Sequence, residues 1–97
     1  IREKNFRTRE GEIDIIAERD GVLVFVEART RRGASKGTAA ESLTPAKRRR
    51  LVRLAEAYGQ ARDDLPEGRR IDVIALDLAQ DGRLLSLQHI EDAVWAE

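Results

Sequence analysis

Residues 11–30 read GEIDIIAERDGVLVFVEART. Two apolar, β-branched runs, Ile13–Ala17 and Val22–Ala28, flank Asp20-Gly21, the dipeptide of a tight hairpin turn. A two-residue turn sets Arg19 against Val22, Asp14 against Glu27 and Glu12 against Arg29. Side chains alternate along a strand, so Glu12, Asp14, Glu27 and Arg29 are expected on one face. Ile13, Ile15, Ala17, Val24, Val26 and Ala28 fall on the other, with no polar side chain among them. A slip of one residue would mix the two sets, which supports the register. Carboxylic residues directly opposed across a ladder have Cβ atoms about 5 Å apart and repel. Two readings answer that repulsion: Arg29 and neighbouring arginines neutralise a wet sheet face, or a hard divalent cation, magnesium or manganese, sits between the acids. A cation there would polarise a phosphodiester and activate water.

The rest of the chain extends the hairpin into an α/β domain. Ile1–Arg9 is a weak strand, and residues 30–37 read as a loop. Thr38 and Glu41 form a capping box for one short helical turn. Thr44 caps a longer helix with Pro45 in its first position, running to about Arg62. Leu51, Leu54, Ala55 and Tyr58 form its apolar stripe. Ile71–Leu78 reads as an inner strand and Leu84–Leu87 as a last one, with IEDAVW a short closing turn or helix. The order β-β-β-α-β-β, with a crossover between strands that pair in parallel, makes an α/β sandwich with a mixed five-stranded sheet.

Ninety-seven residues make one domain, 1–97. The 18 basic and 18 acidic residues cancel, and cysteine is absent, which excludes disulfides and thiolate metal sites. No apolar run approaches the ~20 residues that span a bilayer, and no signal peptide opens the chain, so a cytoplasmic protein without a membrane partner is expected. The charge is unevenly distributed. From Arg29 to Arg53 nine basic residues face one acid, Glu41, a balance of +8, whereas residues 63–97 hold nine acids against three arginines, or −6. The basic segment contains Arg31, Arg32, Lys36, Lys47, Arg48, Arg49, Arg50 and Arg53, a surface suited to the phosphate backbone of DNA. Cations in the first turns of a helix oppose its dipole, so this run does not serve helix stability. His89 is the only histidine and reads as edge-strand filler; Asp72 is not assigned to a face; Trp95 and Tyr58 read as core. Four aromatic residues argue against a stacking-driven binder of single strands.

NFRTREGEIDIIA, VFVEARTRRG, LTPAKRRRL, IDVIAL and HIEDAVW resemble, in that order, the YraN-like family of bacterial proteins. That family's fold is similar to the archaeal Holliday-junction resolvases of the PD-(D/E)xK nuclease superfamily. The resemblance implies a restriction-endonuclease-like sandwich and a magnesium-dependent endonuclease for branched or structured DNA, with Asp14 and Glu27 as metal ligands and Glu12 beside them. It also implies a homodimer, because a junction has paired arms, and a leading helix before Ile1. The superfamily places lysine two residues after the glutamate, where this chain has Arg29. Guanidinium clamps phosphate but is a poor proton acceptor. Lys47, at the leading end of the apolar stripe, can take the lysine role or serve as one more phosphate contact. The alternative function is a nuclease-fold DNA-binding protein that cleaves little or nothing. A protein-interaction domain has no positive feature behind it.

Overall fold

The computed structural model describes residues 2–9, 11–33 and 37–94. Its elements are β1 (Glu3–Thr8), β2 (Gly11–Arg19), β3 (Val22–Arg32), a 3-10 turn (Ala40–Ser42), α1 (Pro45–Gln60), β4 (Gly68–Leu78) and β5 (Leu84–Val94). The strands form one mixed sheet in sequence order, with β3 and β4 parallel and every other pair antiparallel. Asp20 and Gly21 both take positive φ, 51° and 76°, as a hairpin turn matched to strand twist requires. The expected register follows, from Arg19 opposite Val22 to Ile15 opposite Val26.

There the β2–β3 ladder ends. The Ala28 N–H donates to Asp14 Oδ2 at 2.9 Å, so a side chain takes the bond that strand pairing would otherwise supply. β2 turns as it leaves β3: Ile13 and Ile16, three apart, are both buried, which strict alternation forbids. Asn5, opposite this point in β1, has φ 54°.

α1 starts as the sequence dictates. Thr44 Oγ1 accepts the Lys47 N–H at 3.3 Å, with Pro45 in the first turn. Before it, the Thr38 N–H donates to Glu41 and the Glu41 N–H to Thr38 Oγ1, the reciprocal capping box. Leu51, Leu54, Ala55 and Tyr58 of α1 pack on Ile16, Leu23, Phe25, Ile71 and Val73. Tyr58 meets the rings of Phe6 and Phe25 edge-on, at 5.2 and 5.8 Å.

Three sequence expectations are corrected. The core-facing side of β3 is the side that carries Glu27, not the side of Val24, Val26 and Ala28, and on β2 Ile13 joins the core with Ile16. Leu23 and Phe25 share the parity of Glu27, and an inner strand next to a parallel neighbour is apolar on both faces over most of its length. Residues 30–32 are not loop, because β3 continues to Arg32 opposite Leu78 of β4. The closing turn or helix is strand: β5 runs on to Val94 through an irregularity opposite Ile71 and Val73. Trp95 and Lys36 lie outside the described residues.

Candidate acid–cation site

The end of β3 carries charge out of the core. Glu27 is 9% exposed and follows Phe25 on the helix side. Its carboxyl lies within reach of the Asp14 charge. Burial, then the Asp14 charge, push Glu27 up to about 7, against the opposing pull of Arg29 and Arg50. Cross-strand geometry thus brings Asp14 and Glu27 together, through the Asp14 side chain rather than a ladder pair. Glu12 stands apart: it is opposite Arg7 in β1 and accepts from Arg7 Nε at 2.7 Å. Among the described residues, no group of three acids or histidines is placed to share a metal ion.

Cations close over the acid pair from two sides. Arg29, two residues along the same face of β3, approaches Glu27 at 3.8 Å. Its Nε also donates to Ser42 Oγ at 3.2 Å. Lys47 is half-buried in the first turn of α1, and its Nζ donates to the Ser42 carbonyl at 3.4 Å. Ser42 therefore holds both candidates for the lysine role. Its own hydroxyl donates to Ala39 O at 2.6 Å, and the Ala39 N–H is fixed by Asp77 of β4 at 2.7 Å. Nothing in the sequence singles out Ser42, because its partner Arg29 is thirteen residues away on another element. The Lys47 ammonium is pushed below its ordinary value, first by Arg29, then by burial, Arg31 and Arg50, with Glu27 opposing. Arg29, Arg31, Lys47 and Arg50 so form one crowded cationic group beside Glu27.

The remaining basic residues spread outward. Arg49 and Arg53 are exposed along α1; Arg48 is exposed too, with its Nε on the Leu43 carbonyl at 3.3 Å. Arg32 alternates to the other face and reaches the Gly82 turn.

A second polar cluster lies on the far face. Asp72 is 1% exposed. It accepts from Arg70 Nε and Nη2 at 3.1 and 3.3 Å, from the Asp92 N–H at 3.0 Å, and pairs with His89 Nε2 at 2.9 Å. Burial alone would raise its pKa, but the Asp92, His89 and Arg70 hydrogen bonds outweigh that and hold it low. His89 is thus tied to a buried acid rather than merely filling an edge, and Asp72 faces away from the acid pair. Asp92, at φ 52°, marks the irregularity that Asp72 fastens. The sequence signal was present in an acid inside the apolar run IDVIAL.

A five-stranded mixed sheet with one crossover helix, and an acid pair where the inner hairpin forks, define an α/β domain of restriction-endonuclease-like architecture. The model of the uncharacterised protein family UPF0102 matches residues 1–76, and the chain belongs to that family. It is 50% identical over 93 residues to a UPF0102 protein of Roseiflexus castenholzii, covering 94% of this chain and 74% of that protein. A UPF0102 protein of Prosthecochloris aestuarii is 40% identical over 98 residues, covering 97% and 77%. One from Dictyoglomus thermophilum is 31% identical over 93 residues, covering 96% and 79%. No helix of the described residues is long and apolar enough to cross a membrane.

Proposed function

We propose that this chain is a metal-dependent endonuclease of the PD-(D/E)xK type, acting on branched or otherwise structured DNA in the cytoplasm as a pair of copies. The observation that carries this reading is the acid pair itself, with Glu27 raised to about 7 although Arg29 and Arg50 pull against it. Two neighbouring carboxylates are a donor set for a hard divalent cation, and magnesium commonly takes one or two carboxylates and keeps its waters. Asp14 and Glu27 would hold the ion, with Asp14 Oδ2 also accepting the Ala28 N–H. The ion would supply charge neutralisation and an acidified water. Arg29, Arg31 and Arg50 would bind the phosphate, and Lys47 would stand beside the reacting group with an ammonium already depressed by its neighbours. Arg48, Arg49 and Arg53 would extend the contact along the backbone.

A second reading, a nuclease-fold DNA-binding protein with little cleavage, is favoured by Arg29 in the lysine position and by Glu12 held on Arg7. Cleavage of linear, flap and four-way DNA with magnesium or manganese separates the two. On the first reading wild type cleaves and Asp14→Asn does not. Lys47→Ala is then inactive if Lys47 carries the lysine role, whereas Arg29→Lys gains activity if that role belongs to position 29. Proton-transfer help of this kind is worth roughly 10²–10⁴-fold. Binding without cleavage by any variant leaves the second reading standing.

A further inference from the structure

Arg50 differs from the other cations of that group in how it is held. Its Cδ and Nε lie 3.3 Å from where a Cβ on Gly11 would stand. Its Nε is shut off from solvent with no hydrogen-bond partner among the described residues. The stem of Arg50 therefore lies close on bare backbone at the start of β2, where an added Cβ would oblige it to give by a few tenths of an ångström. Gly11 adds a second reason to be glycine, since its φ of 138° is strained for any L side chain. Helix α1 fixes one end of Arg50 and Gly11 fixes its middle. What remains is the terminal fork, on the same side as Glu27 and Lys47. A planar guanidinium held at its stem and free at its tip suits two-point recognition of a phosphate.

We propose that Gly11 is the seat that aims Arg50 at a phosphate lying against the Asp14–Glu27 site, so that Arg50 is a fixed phosphate clamp and Gly11 a positioning residue. The inference rests on the nucleic-acid reading above and adds to it. Charge alone makes Arg50 one of several interchangeable cations, whereas the seat makes it specific and makes an uncharged residue part of the binding surface.

The test is metal-free binding of a four-way junction and a linear duplex over a series of salt concentrations. Arg50→Gln should lower the slope of log affinity against log salt by about 0.9, one phosphate contact. Gly11→Ala should lower it by a similar amount although no charge is changed, and the double variant should lose no more than either alone. A role in folding alone would leave the slope of the folded fraction untouched. If Gly11→Ala does not fold, Arg50→Lys decides: a clamp predicts roughly 10-fold weaker binding at an unchanged slope, because the charge stays and the fork is lost. Binding equal to wild type by Arg50→Lys, an unchanged slope in Arg50→Gln, or full additivity of the two changes would overturn the clamp while leaving DNA binding intact. Failure of wild type to bind either DNA would remove the nucleic-acid reading and the clamp together.

Discussion

Glutamine at position 27 should stabilise the protein at alkaline pH and do nothing at acid pH. Glu27 has an 11% exposed side chain, and burial followed by the Asp14 charge carries it from 4.5 to about 7. A carboxyl raised in the folded state binds its proton more tightly there than in the unfolded chain. Its stabilising contribution is whole below pH 4.5 and is lost as pH rises to about 7. That interval, at about 1.36 kcal/mol per pH unit, bounds the loss at roughly 3 kcal/mol. Asp14 is half-buried and the cationic group opens to solvent, so screening reduces the bound to about 1–2 kcal/mol. For a domain of this size that is a difference in Tm of roughly 5–15 °C. The assay is thermal unfolding of wild type and Glu27→Gln from pH 4 to 8, read as the difference between them, which cancels groups that titrate in both. The gap should open between pH 4.5 and 7 in favour of the variant. On the metal-site reading, magnesium should narrow it at pH 8 by raising wild type alone. A gap equal at both ends of the range would refute the reasoning, and so would a variant less stable than wild type at pH 8.

On the far face, Asp72→Asn should cost about 1–3 kcal/mol in urea unfolding, because Arg70, His89 and the Asp92 N–H lose a charged acceptor. Since the Asp72 pKa is lowered on folding, its contribution in wild type is present above the unfolded value and lost as pH falls below it, so the cost of the substitution should shrink in acid. At the helix start, Thr44→Ala removes the acceptor for the Lys47 N–H and should cost about 1 kcal/mol by the same measurement.

The hairpin register and the cap of α1 were legible because local chemistry dictates them: Asp20-Gly21 admits the turn, and Thr44-Pro45 admits the helix start. The nearness of Asp14 to Glu27 was legible too, but its means was not. Opposite positions predict a ladder pair, while the structure substitutes a carboxylate for a carbonyl at Ala28. Which face carries the core depended on Leu23 and Phe25, and period-two counting over residues 24–28 passed over them. The length of β5 was hidden by its irregularity, since the stretch around Asp92, which takes a left-handed conformation, read as a closing turn or helix. Ser42 and the Gly11 seat are tertiary events, with partners on other elements, and carried no local signal.

The fork at Asp14 also has a mechanical meaning. Toward Gly11 the β1–β2 arm continues as a hairpin of its own, with Arg7 opposite Glu12 and Thr8 opposite Gly11, and the Asp14–Ala28 hydrogen bond fastens it to β3. That fastening is made by an ionisable group. Loss of the Asp14 side chain would therefore unfasten the arm as well as break up the acid pair. The Arg50 stem rests on the tip of that same arm. One side chain thus belongs both to the acid pair and to the seam that ties this arm to β3.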